Sequence, residues 1–198
     1  MSTSHKGDAS KGDVEHFGPA VARFDQWADR QLEMLRGNPI ADALFTNASH
    51  LGDFSVLWHI IGIARGLTGA QRANEAFVLS SVLGAESIIV NQGVKRLFRR
   101  VRPTESGDDR FDVRRPATSS FPSGHASSAL CAATLLTAWG GRRTAPMWFG
   151  IAAIVSVSRV YVRIHHASDV LGGAVIGLSL GALARRLTRT PVGRRTAR

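Results

Sequence analysis

Six side chains in three separated stretches carry most of the chemistry on offer. They are Lys95 with Arg102 (and Pro103 after it), His125 at the end of Phe121-Pro122-Ser123-Gly124-His125, and Arg159 after Ser158, with His165 and Asp169 downstream. Three cations, two imidazoles and one carboxylate are what phosphoryl transfer to a histidine needs when no metal serves. A phosphoryl group in flight spreads its charge over three equatorial oxygens, so catalysis is mostly positioning and electrostatic stabilisation. Lys95, Arg102 and Arg159 can supply that charge. His165 is the candidate nucleophile, because an imidazole nitrogen accepts phosphoryl when its other nitrogen is held by a carboxylate, and Asp169 lies four residues on. His125 is the candidate general acid, protonating the departing oxygen and later activating water. Ser123 and the Gly124 amide sit where a helix starts, and free N–H groups there favour an anion. Taken singly, each residue has an ordinary explanation: Lys95 and Arg102 as cationic helix ends, Ser123 as a cap, the histidines as polar contacts.

The chain that must position them has 198 residues, enough for one domain with one substantial core. Its formal net charge of +10 fits an anionic partner such as a phosphorylated substrate, an anionic membrane surface or nucleic acid. Cys131 is the only cysteine, which excludes an internal disulfide and a cysteine-based zinc site. Neither a metal nor another cofactor is called for.

Residues 1–18 are polar and of mixed charge, read as a disordered leader rather than a signal peptide. Residues 19–49 are read as an amphipathic region at a membrane interface. Its helix carries Val21, Phe24, Ala28, Leu32 and Leu35 on one face with Trp27 at the border, while Arg23, Asp25, Asp29, Arg30, Glu33 and Arg36 face away; Gly37, Asn38 and Pro39 end it. Residues 50–187 hold five apolar stretches: Leu51 to Leu67, Ala73 to Val94, Gly124 to Gly141, Thr144 to Ser158 and Val170 to Ala184. The last three contain no Lys, Arg, Asp or Glu. A spanning helix wants about 20 apolar residues, and each stretch reaches that only with its flanks. Gly173, Gly177 and Gly181 recur every fourth residue, the small-residue ridge on which membrane helices pack. Residues 188–198 form a basic tail. Strand signals are nearly absent, so the expected fold is all-α: a membrane bundle of about five spanning helices preceded by the amphipathic helix.

Alternating direction through five spans puts the ends bearing Lys95, His125, Arg159, His165 and Asp169 on one side. The connection from Arg96 to Pro122 would lie over the same face, with Arg99, Arg100, Arg110, Arg114 and Arg115 beside Glu105, Asp108, Asp109 and Asp112. Glu86 is nine residues from Lys95, on the opposite face of an α-helix, and is expected outside the phosphate pocket, as a protonated or paired carboxyl between helices, with His59 as one partner. Asn91 shares the face of Lys95. His166 is given no role.

Lys95-x6-Arg102-Pro103, Pro122-Ser123-Gly124-His125 and Ser158-Arg159-x5-His165-x3-Asp169 together resemble the three-part signature of the type 2 phosphatidic acid phosphatase superfamily, over about residues 50–187. The resemblance implies a metal-independent membrane bundle that hydrolyses lipid phosphates through a phosphohistidine, with the six side chains in the roles above. Substrates in view are polyprenyl phosphates or diphosphates, a polyprenyl phosphosugar carrying a further phosphate, phosphatidic acid and phosphatidylglycerol phosphate. The same signature occurs in soluble acid phosphatases and vanadate-dependent haloperoxidases, which is the second reading. A third is a non-enzymatic basic binder of anionic lipid or nucleic acid; apolar spans argue against nucleic acid, which needs a solvated basic face. Arg65, Arg72, Arg142, Arg143 and the tail arginines share the side opposite the motifs, so the positive-inside rule places the active site outside the cytoplasm. Headgroup, oligomeric state and regulation have no signal in the sequence.

Overall fold

The computed structural model describes residues 9–103, 110–114 and 116–188, with side chains from Phe17 onward. Residues 1–8 of the leader, Glu105, Asp108, Asp109 and Arg115 of the long connection, and the tail from residue 189 lie outside the described residues.

Among the described residues seven α-helices carry the fold, and no strand occurs. Helix α1, Ala9–Glu33, begins inside the segment expected to be disordered. It kinks where Gly18 takes a φ of 75° and Pro19 follows without an N–H to donate. Helix α2, Pro39–Gly52, starts on Asn38, whose Oδ1 accepts from the amides of Ile40 and Ala41, with Pro39 at the first helical position. A single 3₁₀ turn, Asp53–Ser55, follows, with Phe54 and Ser55 both at positive φ. That reversal starts α3, Val56–Gly66, later than the apolar run predicts and leaves it only about 16 Å long. Helix α4, Ala70–Ile88, runs on through a π-helical stretch, Ile89–Gly93, and a 3₁₀ turn, Val94–Leu97. The three remaining helices are α5 (Gly124–Gly140), α6 (Ala145–Tyr161) and α7 (Ala167–Leu187). Two segments, Ala70–Leu97 and Ala167–Leu187, are long and apolar enough to cross a bilayer on their own. At 17 residues each, α5 and α6 fall at the short end of the spanning range.

Helix α5 is the axis of the bundle, packed against α7, α6 and α4. Its interior neighbours are Trp58 of α3, Leu79 and Leu83 of α4, Trp148 and Val155 of α6, and its own Leu135 and Leu136. The closest seam is α5 on α7. A Cβ added at Gly173 would strike the Ser123 carbonyl oxygen, one at Gly177 the Ser127 carbonyl oxygen, and one at Gly181 the Thr134 side chain. The four-residue glycine spacing is thus a contact surface, as read from the sequence. Large apolar side chains point outward instead, among them Ile63, Phe77, Ile88, Val175 and Leu187. Water would penalise such a surface and hydrocarbon would not, and the chain is an all-α integral-membrane bundle.

Helix α1 reverses one expectation. Asp25 and Arg36, assigned to its outward face, are turned into the protein, whereas Phe24, Trp27 and Leu35 are exposed. The reason is that the body of the protein presents cationic side chains and helix ends to α1. Arg36 donates to the Val160 and Tyr161 carbonyls at the end of α6, which satisfies acceptors that have no partner within the helix. Asp29 and Glu33 accept from Arg163, and Glu33 also from Arg36 and Arg110. Hydrogen bonds from Arg110 and Arg36 hold the Glu33 carboxyl down to about 2.

Candidate active site

The three motif stretches meet at one end of the bundle, around a cavity of about 770 Å³. Lys95 reaches it from the 3₁₀ turn ending the α4 segment, Gly124 and His125 from the first turn of α5, Arg159 from the last turn of α6 and His165 from the loop before α7. Arg102 and Asp169 flank the His165 ring, at Nε2 and Nδ1 respectively, and neither lines the cavity, so Arg102 departs from its expected place on the wall. Of the described residues before α5, Arg114, Pro116, Thr118 and Ser119 line the same cavity, and Arg102 holds residues 116–119 there. Its guanidinium donates to the carbonyls of Pro116, Thr118, Ser119 and Ile164.

His165 is 2 % exposed. Its Nε2 lies 3.2 Å from Nη1 of Arg102, a group with protons to give and no lone pair to accept one. Nε2 is therefore the acceptor nitrogen and the ring proton sits on Nδ1, 3.4 Å from Oδ2 of Asp169. Burial, together with the charges of Arg102 and Arg159, pulls the imidazole well below its ordinary range against the opposing hydrogen bond with Asp169. The ring is neutral at pH 7, with a lone pair on Nε2. Asp169 is fixed from several sides: Oδ1 accepts from Arg100 at 2.6 Å, and Oδ2 from Ser120 Oγ at 2.5 Å and from the His166 amide at 2.9 Å.

His125, which lines the same cavity, has a partner that the sequence reading missed. Its Nε2 is 3.1 Å from Oδ1 of Asp53 and 3.3 Å from the Ser49 carbonyl. Asp53 comes from the tight turn after α2, and the positive φ of Phe54 and Ser55 brings it to α5. Burial favours the neutral acid there, but the His125 hydrogen bond and the charges of His125, Arg159 and Arg114 outweigh it, so the carboxyl lies below its usual range. Arg159, 1 % exposed, donates through Nη1 to the hydroxyl of Ser49. The Lys95 ammonium makes no hydrogen bond with any described residue, and the residue lines the cavity. Arg114, above the opening, lies 4.5 Å from the centre of the Phe54 ring.

Two further placements differ from expectation. Ser123 is fully buried and does not line the cavity; its Oγ accepts from the Ala126 amide as the cap of α5, and its amide donates to the Asp169 carbonyl. Gly124, by contrast, lies on the wall. Glu86 shares the cavity with Lys95, because the π-helical stretch between them breaks the 100° phase on which their separation was reckoned. It is 3 % exposed, its Oε1 has no hydrogen-bond partner among the described residues, and His59 bonds Ser80 instead. Asn91 lines the cavity beside Lys95 and donates to Ser87. His166 bonds the Val101 carbonyl through Nε2 and caps α7.

This arrangement has a lone-pair nitrogen on a buried ring, a second imidazole on a carboxylate, and two cations, Lys95 and Arg159, at the same cavity. It is suited to binding a tetrahedral oxyanion and passing its central atom to a nucleophile. Comparison with known proteins agrees. The chain is 32% identical over 137 residues to decaprenylphosphoryl-5-phosphoribose phosphatase of Mycobacterium tuberculosis, covering 68% of this chain and 73% of that protein. It is 28% identical over 177 residues to phosphatidylglycerophosphatase B of Bacillus subtilis, covering 84% of each. The crystal structure of a transmembrane PAP2 type phosphatidylglycerolphosphate phosphatase from Bacillus subtilis superposes with a TM-score of 0.70 at 25% identity, covering 92% of both chains. Aquifex aeolicus LpxE shares the fold, with a TM-score of 0.66 at 24% identity over 83% of this chain and 94% of that one. A family profile described as PAP2 superfamily matches residues 75–192, more than half of the chain and all three motif stretches, and the protein belongs to that superfamily.

Proposed function

We propose that the protein is a lipid phosphate phosphatase that removes a phosphomonoester, or the terminal phosphate of a diphosphate, through a covalent phosphohistidine at His165. The observation that carries the reading is the His165 ring on the cavity wall, with Nε2 beside Arg102, Nδ1–H toward Asp169, and Lys95 and Arg159 at the same cavity.

The substrate phosphate enters between Lys95, Arg102 and Arg159, with the free amides of the first turn of α5 near Gly124. Nε2 of His165 attacks phosphorus in line as the ester bond breaks, and His125, oriented by Asp53, gives a proton to the departing oxygen. Phosphoryl transfer leaves the ring cationic, which the Asp169 carboxylate stabilises through Nδ1–H. In the second step His125 takes a proton from water, the hydroxide oxygen bonds to phosphorus, the N–P bond breaks and inorganic phosphate leaves. The three cations supply the charge stabilisation that a metal would otherwise provide.

Both relatives named above act on phosphorylated lipids by their names, and the outward apolar surface keeps this chain among such substrates. The candidates are polyprenyl phosphates or diphosphates, a polyprenyl phosphosugar phosphate, phosphatidic acid and phosphatidylglycerol phosphate. Phosphate release from this panel, measured in detergent with and without EDTA, is expected for at least one lipid at a rate that chelation leaves unchanged. Activity abolished by EDTA and restored by a divalent cation would remove the metal-free mechanism. We place the active site on the extracytoplasmic face, because Arg65, Arg72, Arg142, Arg143 and Arg185 lie at helix ends opposite the cavity. A reporter fused after Arg198 is expected in the cytoplasm, and one detected outside reverses the orientation.

A further inference from the structure

The residue that links the N-terminal helix to the reaction is Asp25. It lies outside the region matched by the family profile, on a helix read from sequence as a membrane-interface element with this side chain facing away. In the structure it is 6 % exposed and fully engaged. Oδ2 accepts from Nη2 of Arg100 at 2.7 Å and from the Ser168 hydroxyl at 2.8 Å, and Oδ1 accepts from the Ser168 amide at 2.8 Å. Arg100, 5 % exposed, turns its other terminal nitrogen to Asp169 Oδ1 at 2.6 Å and to the Ser168 hydroxyl at 2.7 Å. The ring of Phe17, also from α1, lies 4.3 Å from the guanidinium. One buried cation is therefore shared by two buried carboxylates, one on α1 and the other the carboxylate that holds His165.

We infer that Asp25 is a positioning residue for the phosphohistidine reaction, acting through Arg100 on the Asp169–His165 pair; this rests on the phosphatase reading above. The two carboxylates compete for one guanidinium. Buried beside a single carboxylate, that guanidinium would draw it into a closed pair and neutralise it. Asp25 takes part of the charge of Arg100, so Asp169 keeps negative charge for the Nδ1–H of His165, whose ring becomes cationic when it receives the phosphoryl group. Asp25 also sets where Arg100 sits, by holding both its guanidinium and the Ser168 hydroxyl between them. The phosphate-binding cations are untouched by this link: Lys95, Arg102 and Arg159 make no hydrogen bond to Asp25. Loss of Asp25 should therefore slow the transfer and leave substrate binding in place.

The test is kcat and KM on whichever panel lipid the wild type hydrolyses, for Asp25→Asn, Asp169→Asn, the double variant and His165→Ala, all as full-length protein in detergent. For D25N the expected result is a kcat about 10²-fold lower, the scale of a small misplacement of reacting groups, with KM unchanged. In the D169N background D25N should cost almost nothing further, because both act through one link. A purely structural role would lower active protein without that non-additivity. A D25N enzyme with wild-type kcat, or one whose loss multiplies fully with that of D169N, overturns the inference while His165→Ala stays inactive. A wild type that releases no phosphate, or an H165A variant that still does, overturns the phosphatase reading and this link with it. If D25N does not fold, Ser168→Ala reads the same link by removing the shared hydroxyl. Its kcat is expected to fall about fivefold, the worth of one net hydrogen bond, and an unchanged kcat overturns the inference.

Discussion

His165→Ala is expected to abolish turnover, by about 10⁴-fold or more, and with it any covalent phosphoenzyme. The loss is large because the variant lacks the nucleophile itself, and the two neighbouring imidazoles are held in other positions. His125 has its Nε2 committed to Asp53 and Ser49, and His166 is turned to the Val101 carbonyl. The measurement is rapid quench of wild type and variant with substrate labelled in the phosphate. Wild type yields protein-bound label that acid releases and alkali does not, and the variant yields none. Because burial and two neighbouring arginines keep the imidazole neutral, protonation of His165 should not slow the enzyme as pH falls from about 8 to about 6. An H165A protein that keeps a hundredth of wild-type turnover, about 2.7 kcal/mol of barrier, would contradict the covalent route.

His125→Asn should cost about 10²- to 10⁴-fold in kcat on a lipid alkyl phosphate, the usual reach of general acid–base catalysis. The size should depend on the leaving group. An alkoxide cannot depart without a proton, whereas p-nitrophenolate can, so p-nitrophenyl phosphate should phosphorylate His165 in the variant far faster than the lipid does. Water attack on the phosphohistidine still lacks its base, so label accumulates on the protein after a burst. Equal losses on both substrates with no burst would remove His125 from proton transfer and leave it a binding residue. Asp53 orients this imidazole much as Asp169 orients the other one.

How far these assignments were legible beforehand differs from residue to residue. Lys95, Arg102, Gly124, His125, Arg159, His165 and Asp169 could be read because short spacings and alternating spans send them to one end, whatever the details of packing. The glycine ridge of α7 was readable for a similar reason, since a four-residue repeat on a helix is a local property. Asp53 and Asp25 were not, because each depends on contacts far along the chain. Asp53 reaches α5 only through two consecutive left-handed residues, and nothing in Asp-Phe-Ser marks that turn. Asp25 lies on a helix whose amphipathic pattern is plain but whose direction is not: the separation of apolar from charged residues says that two faces differ and leaves open which one meets protein. In a membrane protein the polar face can be the inner one, and the Asp25–Arg100 and Arg36–Val160 contacts make it so here. Glu86 was misplaced by assuming regular α geometry across Ile89–Gly93, where the backbone is π-helical.

The glycine seam bears on what the cup can hold. Backbone meets backbone where α7 crosses the start of α5, at Gly173 against Ser123 and, one turn deeper, at Gly177 against Ser127. The amide of Ser123 is also tied directly to the Asp169 carbonyl. Along this line the distance of α7 from α5 is set by main chain against main chain. On the proposed reading, this fixed spacing holds Asp169, and the His165 ring it orients, in register with the start of α5, and discrimination between lipids is left to other residues of the cavity, among them Glu86, Ser87 and Asn91.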